Sequence, residues 1–212
     1  MRPDLVLAFD TSAAHCAAAL LSGGQVLDLV QEDMATGQAE RLMPLLEEML
    51  ARAGLAWADL SVIGVGTGPG NFTGVRIAVA AARGLALGLG IPAVGVNIFD
   101  AMALDAPRPA VVRLDARRDQ VYLQILGGSD QPARLADPGE VDFPPGATFL
   151  GLEAEALAAA HGGRAALPAH PLPVAIARLA LARRQTAPRP APFYLRGADA
   201  APPADPPPVI LG

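Results

Sequence analysis

Three short apolar runs open the chain: "LVLAF" at 5–9, "CAAALLS" from Cys16, and Val26, Leu27, Leu29 and Val30 after the Gly23-Gly24 turn. Separated by polar or glycine turns, they predict three consecutive antiparallel strands. The period then changes. In "AERLMPLLEEMLARAG", Leu42, Leu45, Leu46, Met49, Leu50 and Ala53 recur at helical spacing, which predicts an amphipathic helix over 39–53 stopped by Gly54. Pro44 must sit in its first turn or kink it. "SVIGVG" at 61–66 is a fourth strand, and a glycine-rich loop delivers it into a small-residue helix over about 72–89, followed by the strand "AVGVN". Strand, helix, strand in that order predicts a right-handed α/β crossover. Gly84 and Gly88 lie one turn apart in that helix, so a second helix or the sheet is expected to approach it closely.

After "LDAPRP" at 104–109 the pattern restarts. "AVVRLDARRDQVYLQIL" repeats the strand, terminal aspartate and returning strand of "LVLAFDTSAAHCAAALL", a sign of duplicated topology. Beyond 127 the periodicity weakens to a strand at "ATFLG", an alanine-rich helix over 153–161 and a helix over 173–184. The division this predicts is 1–104, 105–196 and a proline-rich tail, extended or disordered, over 197–212.

Composition narrows the chemistry. The chain has 212 residues, 52% of them hydrophobic, enough to build a sizeable core. No uninterrupted apolar run of about 18 residues appears, and Asp4 and Asp10 interrupt the N-terminus, so a soluble cytoplasmic protein away from membranes is expected. All 16 basic side chains are arginines, so a Walker-type loop, which needs lysine, is excluded, as is Schiff-base chemistry. With a net charge of -5 the chain lacks the basic stripe that a phosphate backbone attracts, so any contact with nucleic acid is expected to run through a partner. Cys16 is the only cysteine, and the histidines His15, His161 and His170 fall in no ligand spacing, so no metal or cofactor is expected.

Two stretches remain as candidate chemistry. Asp10-Thr11-Ser12 ends a strand where a phosphate-and-magnesium loop can sit, but these residues also make ordinary turns. The loop Gly66-Thr67-Gly68-Pro69-Gly70-Asn71 misses the GxGxxG spacing, because the third glycine would fall at Asn71. It reads as a tight strand-to-helix turn, with Asn71 or Thr73 capping the helix and anion binding at the helix start a lesser possibility. Cys16, inside an apolar strand, reads as inert.

Taken together, "AFDTS", "AERLMPLLEEML", "GVGTGPGNFTGVRIAVAAARGLALGLGIPAVGV", "LDARRDQVY" and "PFYLR" resemble, in order, the motifs of the TsaB (YeaZ) family across residues 5–196. Gly68, Pro69, Gly70, Asn71, Phe72, Thr73 and Gly74 carry the most specific block. The resemblance implies an actin-like, duplicated ribonuclease-H-like α/β fold, with mixed sheets flanked by helices and Asp10, Thr11 and Ser12 as a degenerate nucleotide loop. It also implies a non-catalytic subunit that binds and activates TsaD, works with TsaE in threonylcarbamoyl transfer to adenosine 37 of ANN-decoding tRNAs, meets tRNA only indirectly, and forms homodimers when isolated. The two apolar helices are then the expected interface, with Leu42, Leu45, Met49, Arg76, Val79 and Arg83 at the contact. The rival readings are a glycoprotease-like peptidase and an ATP-dependent kinase-like enzyme. Gln38 stands where many relatives carry a histidine.

Overall fold

A computed structural model of the chain describes residues 3–116, 119–127, 131–137 and 141–195. The expected tail at 197–212 lies outside the described residues, as do Arg117 and Arg118 of the second strand turn. The first sheet contains β1 (Leu5–Asp10), β2 (His15–Ser22), β3 (Gln25–Asp33), β4 (Val62–Gly66) and β5 (Ala93–Val96), in the order β3-β2-β1-β4-β5. β1, β2 and β3 pair antiparallel, whereas β4 joins β1 and β5 joins β4 in parallel. The second sheet contains β6 (Ala110–Asp115), β7 (Val121–Leu126), β8 (Gln131–Ala136), β9 (Thr148–Gly151) and β10 (Arg164–Ala165). Its order, β8-β7-β6-β9-β10, repeats the first, with β6–β7 antiparallel and β6–β9 parallel. This is the duplicated mixed-sheet fold that the restart near 110 predicts.

Helices α1 (Gln38–Arg52) and α2 (Phe72–Leu89) cover one face of the first sheet. Because side chains alternate across a strand, Leu7 and Phe9 of β1 meet those helices while Val6 and Ala8 point to the opposite face. That second face is covered by α5 (Leu172–Arg183), whose Ile176, Ala177 and Ala180 are fully buried. The boundary expected at 104 therefore separates the two sheets, but the chain returns across it when α5 packs on the first sheet. Short helices α3 (Ile98–Met102) and α4 (Ala154–His161) and a single 3₁₀ turn at Trp57–Asp59 complete the described elements, and neither α3 nor β8 is visible in the periodicity. Pro44 lies inside α1 on its exposed side, where water can satisfy the carbonyl its missing N–H leaves free.

Four of the expected contact residues belong to this core. Leu42, Leu45, Met49 and Val79 are at most 3% exposed and pack together under the sheet. An apolar stripe on a helix guarantees one buried face, and here that face is covered by the chain itself. Any partner surface on α1 and α2 must be made of other residues.

α2 is long and apolar enough to cross a bilayer by composition. Here Gly74, Val75, Ala78, Val79 and Ala82 instead pack against the protein, and its far side is open. Gly84 and Gly88 face that open side: a Cβ at either would meet nothing, contrary to the expected close neighbour.

Candidate functional site

The β1–β2 turn, the β4–α2 loop and the segment 190–195 converge at one end of the first sheet. Asp10 is fully buried, and its Oδ1 accepts from Ser12 N at 3.0 Å, Ser12 Oγ at 2.8 Å and His15 Nε2 at 2.8 Å. Asp10 Oδ2 is buried against Gly66 without a hydrogen-bond partner. Thr11 Oγ1 donates to the Gly74 carbonyl at 2.7 Å, and Asn71 N donates to the Ser12 carbonyl at 2.6 Å.

These contacts explain the glycines. A Cβ at Gly66 would collide with Asp10 Oδ2, one at Gly70 with the Ser12 carbonyl, and one at Gly74 with the Thr11 carbonyl. The loop is thus a close-packed cover for the Asp10-Thr11-Ser12 turn. Gly68, at φ 89, adds a left-handed position that favours glycine. Asn71 caps α2 as its sequence position predicts, accepting from Thr73 N and Gly74 N at 3.0 Å each.

The third segment of the site was not legible from periodicity. Phe193 N donates to the Thr67 carbonyl at 2.8 Å, and Pro190 lies against Gly95. Tyr194 then stacks on Phe72 with ring centroids 5.0 Å apart, and its hydroxyl accepts from Arg76 Nε at 2.9 Å. The Arg76 guanidinium sits 3.8 Å above the Phe72 ring. The only hint was that "PFYLR" and the glycine-loop block both belong to the motif set, although they lie 118 residues apart at Arg76 and Tyr194.

The turn does not form the serine–histidine pair of a nucleophilic triad: Ser12 Oγ donates to Asp10 Oδ1, and His15 Nε2 bonds that same oxygen rather than the hydroxyl. Burial, with the Glu32 charge adding to it, pushes the Cys16 thiol up to about 11, so it is protonated at neutral pH. Among the described residues no group of three or more His, Cys, Asp or Glu side chains could hold a metal ion.

A family-wide profile of the tRNA N6-adenosine threonylcarbamoyltransferase TsaD matches residues 29–160. The chain is 35% identical over 122 residues to the Haemophilus influenzae tRNA threonylcarbamoyladenosine biosynthesis protein TsaB, covering 55% of this chain and 51% of that one. YeaZ from Pseudomonas aeruginosa superposes with a TM-score of 0.69 at 29% identity, covering 86% of this chain and 93% of the other. The chain belongs to the TsaB (YeaZ) family. An uncharacterised Mycobacterium bovis protein is 33% identical over 93% of this chain and 94% of its own length, so the likeness extends through both sheets. The match to the Haemophilus TsaB spans about half of that relative's length. An ethanolamine utilization protein, EutJ from Carboxydothermus hydrogenoformans, shares the fold at a TM-score of 0.55 with 14% identity. In this family member the glycine loop, the Asp10 turn and the Tyr194 segment pack together at the start of α2.

Proposed function

We propose that the chain is a non-catalytic subunit of the tRNA threonylcarbamoyladenosine system, which binds and activates a TsaD-type transferase through the outer face of α2. One observation carries the reading: apart from Arg83, the outward stripe of α2 is small and apolar, and it is uncovered. Ala80, Gly84, Leu87 and Gly88 share it, Leu87 is 81% exposed, and nothing lies within 4 Å of a Cβ built at Gly84 or Gly88. Two open glycines one turn apart let another helix backbone approach closely. The names of the TsaB relatives support the pathway. The transferase of Paracoccus denitrificans is 37% identical over 130 residues, which supports a related fold in the partner. Related folds can meet through equivalent helices much as identical subunits do, and self-association through the same face follows. TsaE and tRNA are then met within the complex.

The peptidase reading draws on one Pseudomonas aeruginosa structure of similar fold, which is described by its similarity to a peptidase, YEAZ. The missing Ser12–His15 hydrogen bond and the buried, protonated Cys16 speak against it. The kinase reading is disfavoured by the Ser12 and Thr11 carbonyls lying under Gly70 and Gly74.

The test is reconstitution of tRNA modification from the cognate TsaD-type and TsaE-type proteins, with this chain present, absent, or carrying Gly84→Arg. Product should form only with the wild-type chain. The substitution points into open space, so the fold should survive while binding and product are lost. Full product without the chain would refute the reading.

A further inference from the structure

We infer that the Phe72–Arg76–Tyr194 cluster is a receptor for a carboxylate carried by the protein partner that docks on α2; this rests on the docking reading above. Arg76 continues the Ala80–Gly84 stripe by one turn toward the start of the helix, so it borders that face. Its guanidinium is held from two sides, by the Phe72 ring at 3.8 Å and by the Tyr194 hydroxyl on Nε at 2.9 Å. Only Nε is engaged: no described residue accepts from Nη1 or Nη2, and no described carboxylate pairs with Arg76.

That is unlike Arg41, Arg52, Arg183 and Arg184, each bonded to an Asp or Glu of its own chain. A guanidinium fixed in plane with free terminal N–H groups matches a planar two-oxygen acceptor, and fixing it beforehand removes much of the ordering cost of binding. Phe72 and Tyr194, at 37% and 41% exposed, form an apolar rim that excludes water from such a pair. Phosphate has the same hydrogen-bonding geometry, but RNA recognition draws on several cations at once. The chain carries net charge -5, and on that side of α2 only Arg83 joins Arg76 as a cation, among Ala80, Gly84, Leu87 and Gly88. A protein carboxylate therefore fits this surface.

Calorimetric titration of the cognate TsaD-type transferase into the full chain tests the inference with wild type, Arg76→Met, Tyr194→Phe and Gly84→Arg. Arg76→Met keeps the apolar stem on Phe72 and removes the charge, and Kd should rise about tenfold or more. The salt dependence of Kd between about 50 and about 300 mM should shrink with it. Tyr194→Phe removes only the anchoring hydroxyl and should raise Kd about threefold; being nearly isosteric, it decides the matter if Arg76→Met melts early. If both Arg76→Met and Tyr194→Phe bind within about twofold of wild type while Gly84→Arg does not bind, the receptor is refuted and the docking face stands. Loss caused by Arg76→Met only when tRNA is present would refute it in favour of a phosphate contact. Absence of binding by the wild type would refute both readings.

Discussion

The two sheets have one topology and very different clothing. β1 and β6 each run antiparallel to the next strand, parallel to the fourth, and end at an aspartate, Asp10 or Asp115. β4 and β9 each end on a glycine whose Cβ would strike the neighbouring central strand, Gly66 on Asp10 and Gly151 on the Arg113 carbonyl. The helices diverge. Between β3 and β4 lies the 15-residue α1, whereas the described residues 141–147 before β9 form no helix. After β4 comes the 18-residue α2; after β9, the eight-residue α4. The first sheet also acquires α5 on its other face. Strand order is set by backbone pairing and survives the restart, whereas helices are set by what each face must bury or present. Among the described residues only the first copy carries long helices with a second, open side.

The largest test of that contrast is Leu45→Asp against Leu157→Asp. Leu45 of α1 is 1% exposed among Leu42, Met49 and the β1 and β2 side chains, so a carboxylate there has no route to water. A cost of about 4 kcal/mol or more is expected, enough to unfold a marginally stable domain. Leu157 of α4 is half-buried over a thinner cluster, and its replacement should cost about 1–2 kcal/mol. Denaturant midpoints measure both. Equal losses would show that α4 covers its sheet as firmly as α1 covers the first.

A second test sets two glycines of α2 against each other. Gly74→Ala drives a methyl into the Thr11 carbonyl and should destabilise by about 3 kcal/mol as the β1–β2 turn is forced away. Gly84→Ala places the same methyl in open space and should stabilise by about 1 kcal/mol. Thermal melts of the two variants should therefore move in opposite directions. If both fall, the outer face of α2 is not free.

This pair also marks how far the sequence could be read. Alternation and helical spacing located β1 to β5, α1, α2 and α5 closely, because each element buries a face and that demand leaves a period. The same logic misassigned Leu42, Leu45, Met49 and Val79. Periodicity reports that a stripe is buried but not whether a sheet or a partner buries it. The surplus was legible: α2 is apolar around more than one face, which calls for cover on both sides, and the chain itself covers one. Which glycines face inward depended on contacts with residues about 60 positions away, Gly74 on Thr11 and Gly66 on Asp10, and no local pattern encodes those. The Arg76–Tyr194 contact is longer still in sequence, and α3, with its Asn97 cap, was too short to show a period.

The smallest expected effect concerns the ion pairs of the two halves. In the first, Arg41 of α1 donates two hydrogen bonds of 2.7 Å to Glu32 of β3 and further bonds of 2.7 and 2.8 Å to Glu48, tying the helix to the edge strand at the surface. In the second, Arg113 is nearly buried in β6, with Glu153 Oε2 2.8 Å away at the start of α4. The hydrogen bonds from Arg41 hold both Glu32 and Glu48 below the ordinary glutamate value of 4.5. A carboxyl depressed in the folded state binds its proton more readily in the unfolded chain. The stabilisation is thus fully present above about pH 4.5 and is lost as pH falls through the lower folded values. Arg41→Met should lower stability at neutral pH by a small amount, since exposed pairs contribute little, and flatten the decline below about pH 4.5 by that same amount. Raising the salt should flatten the wild-type decline in the same way, because screening acts on exposed charges. Urea midpoints across that range measure it, and a decline as steep in Arg41→Met as in wild type would move the acid sensitivity away from the α1–β3 edge and toward other carboxylates of the chain.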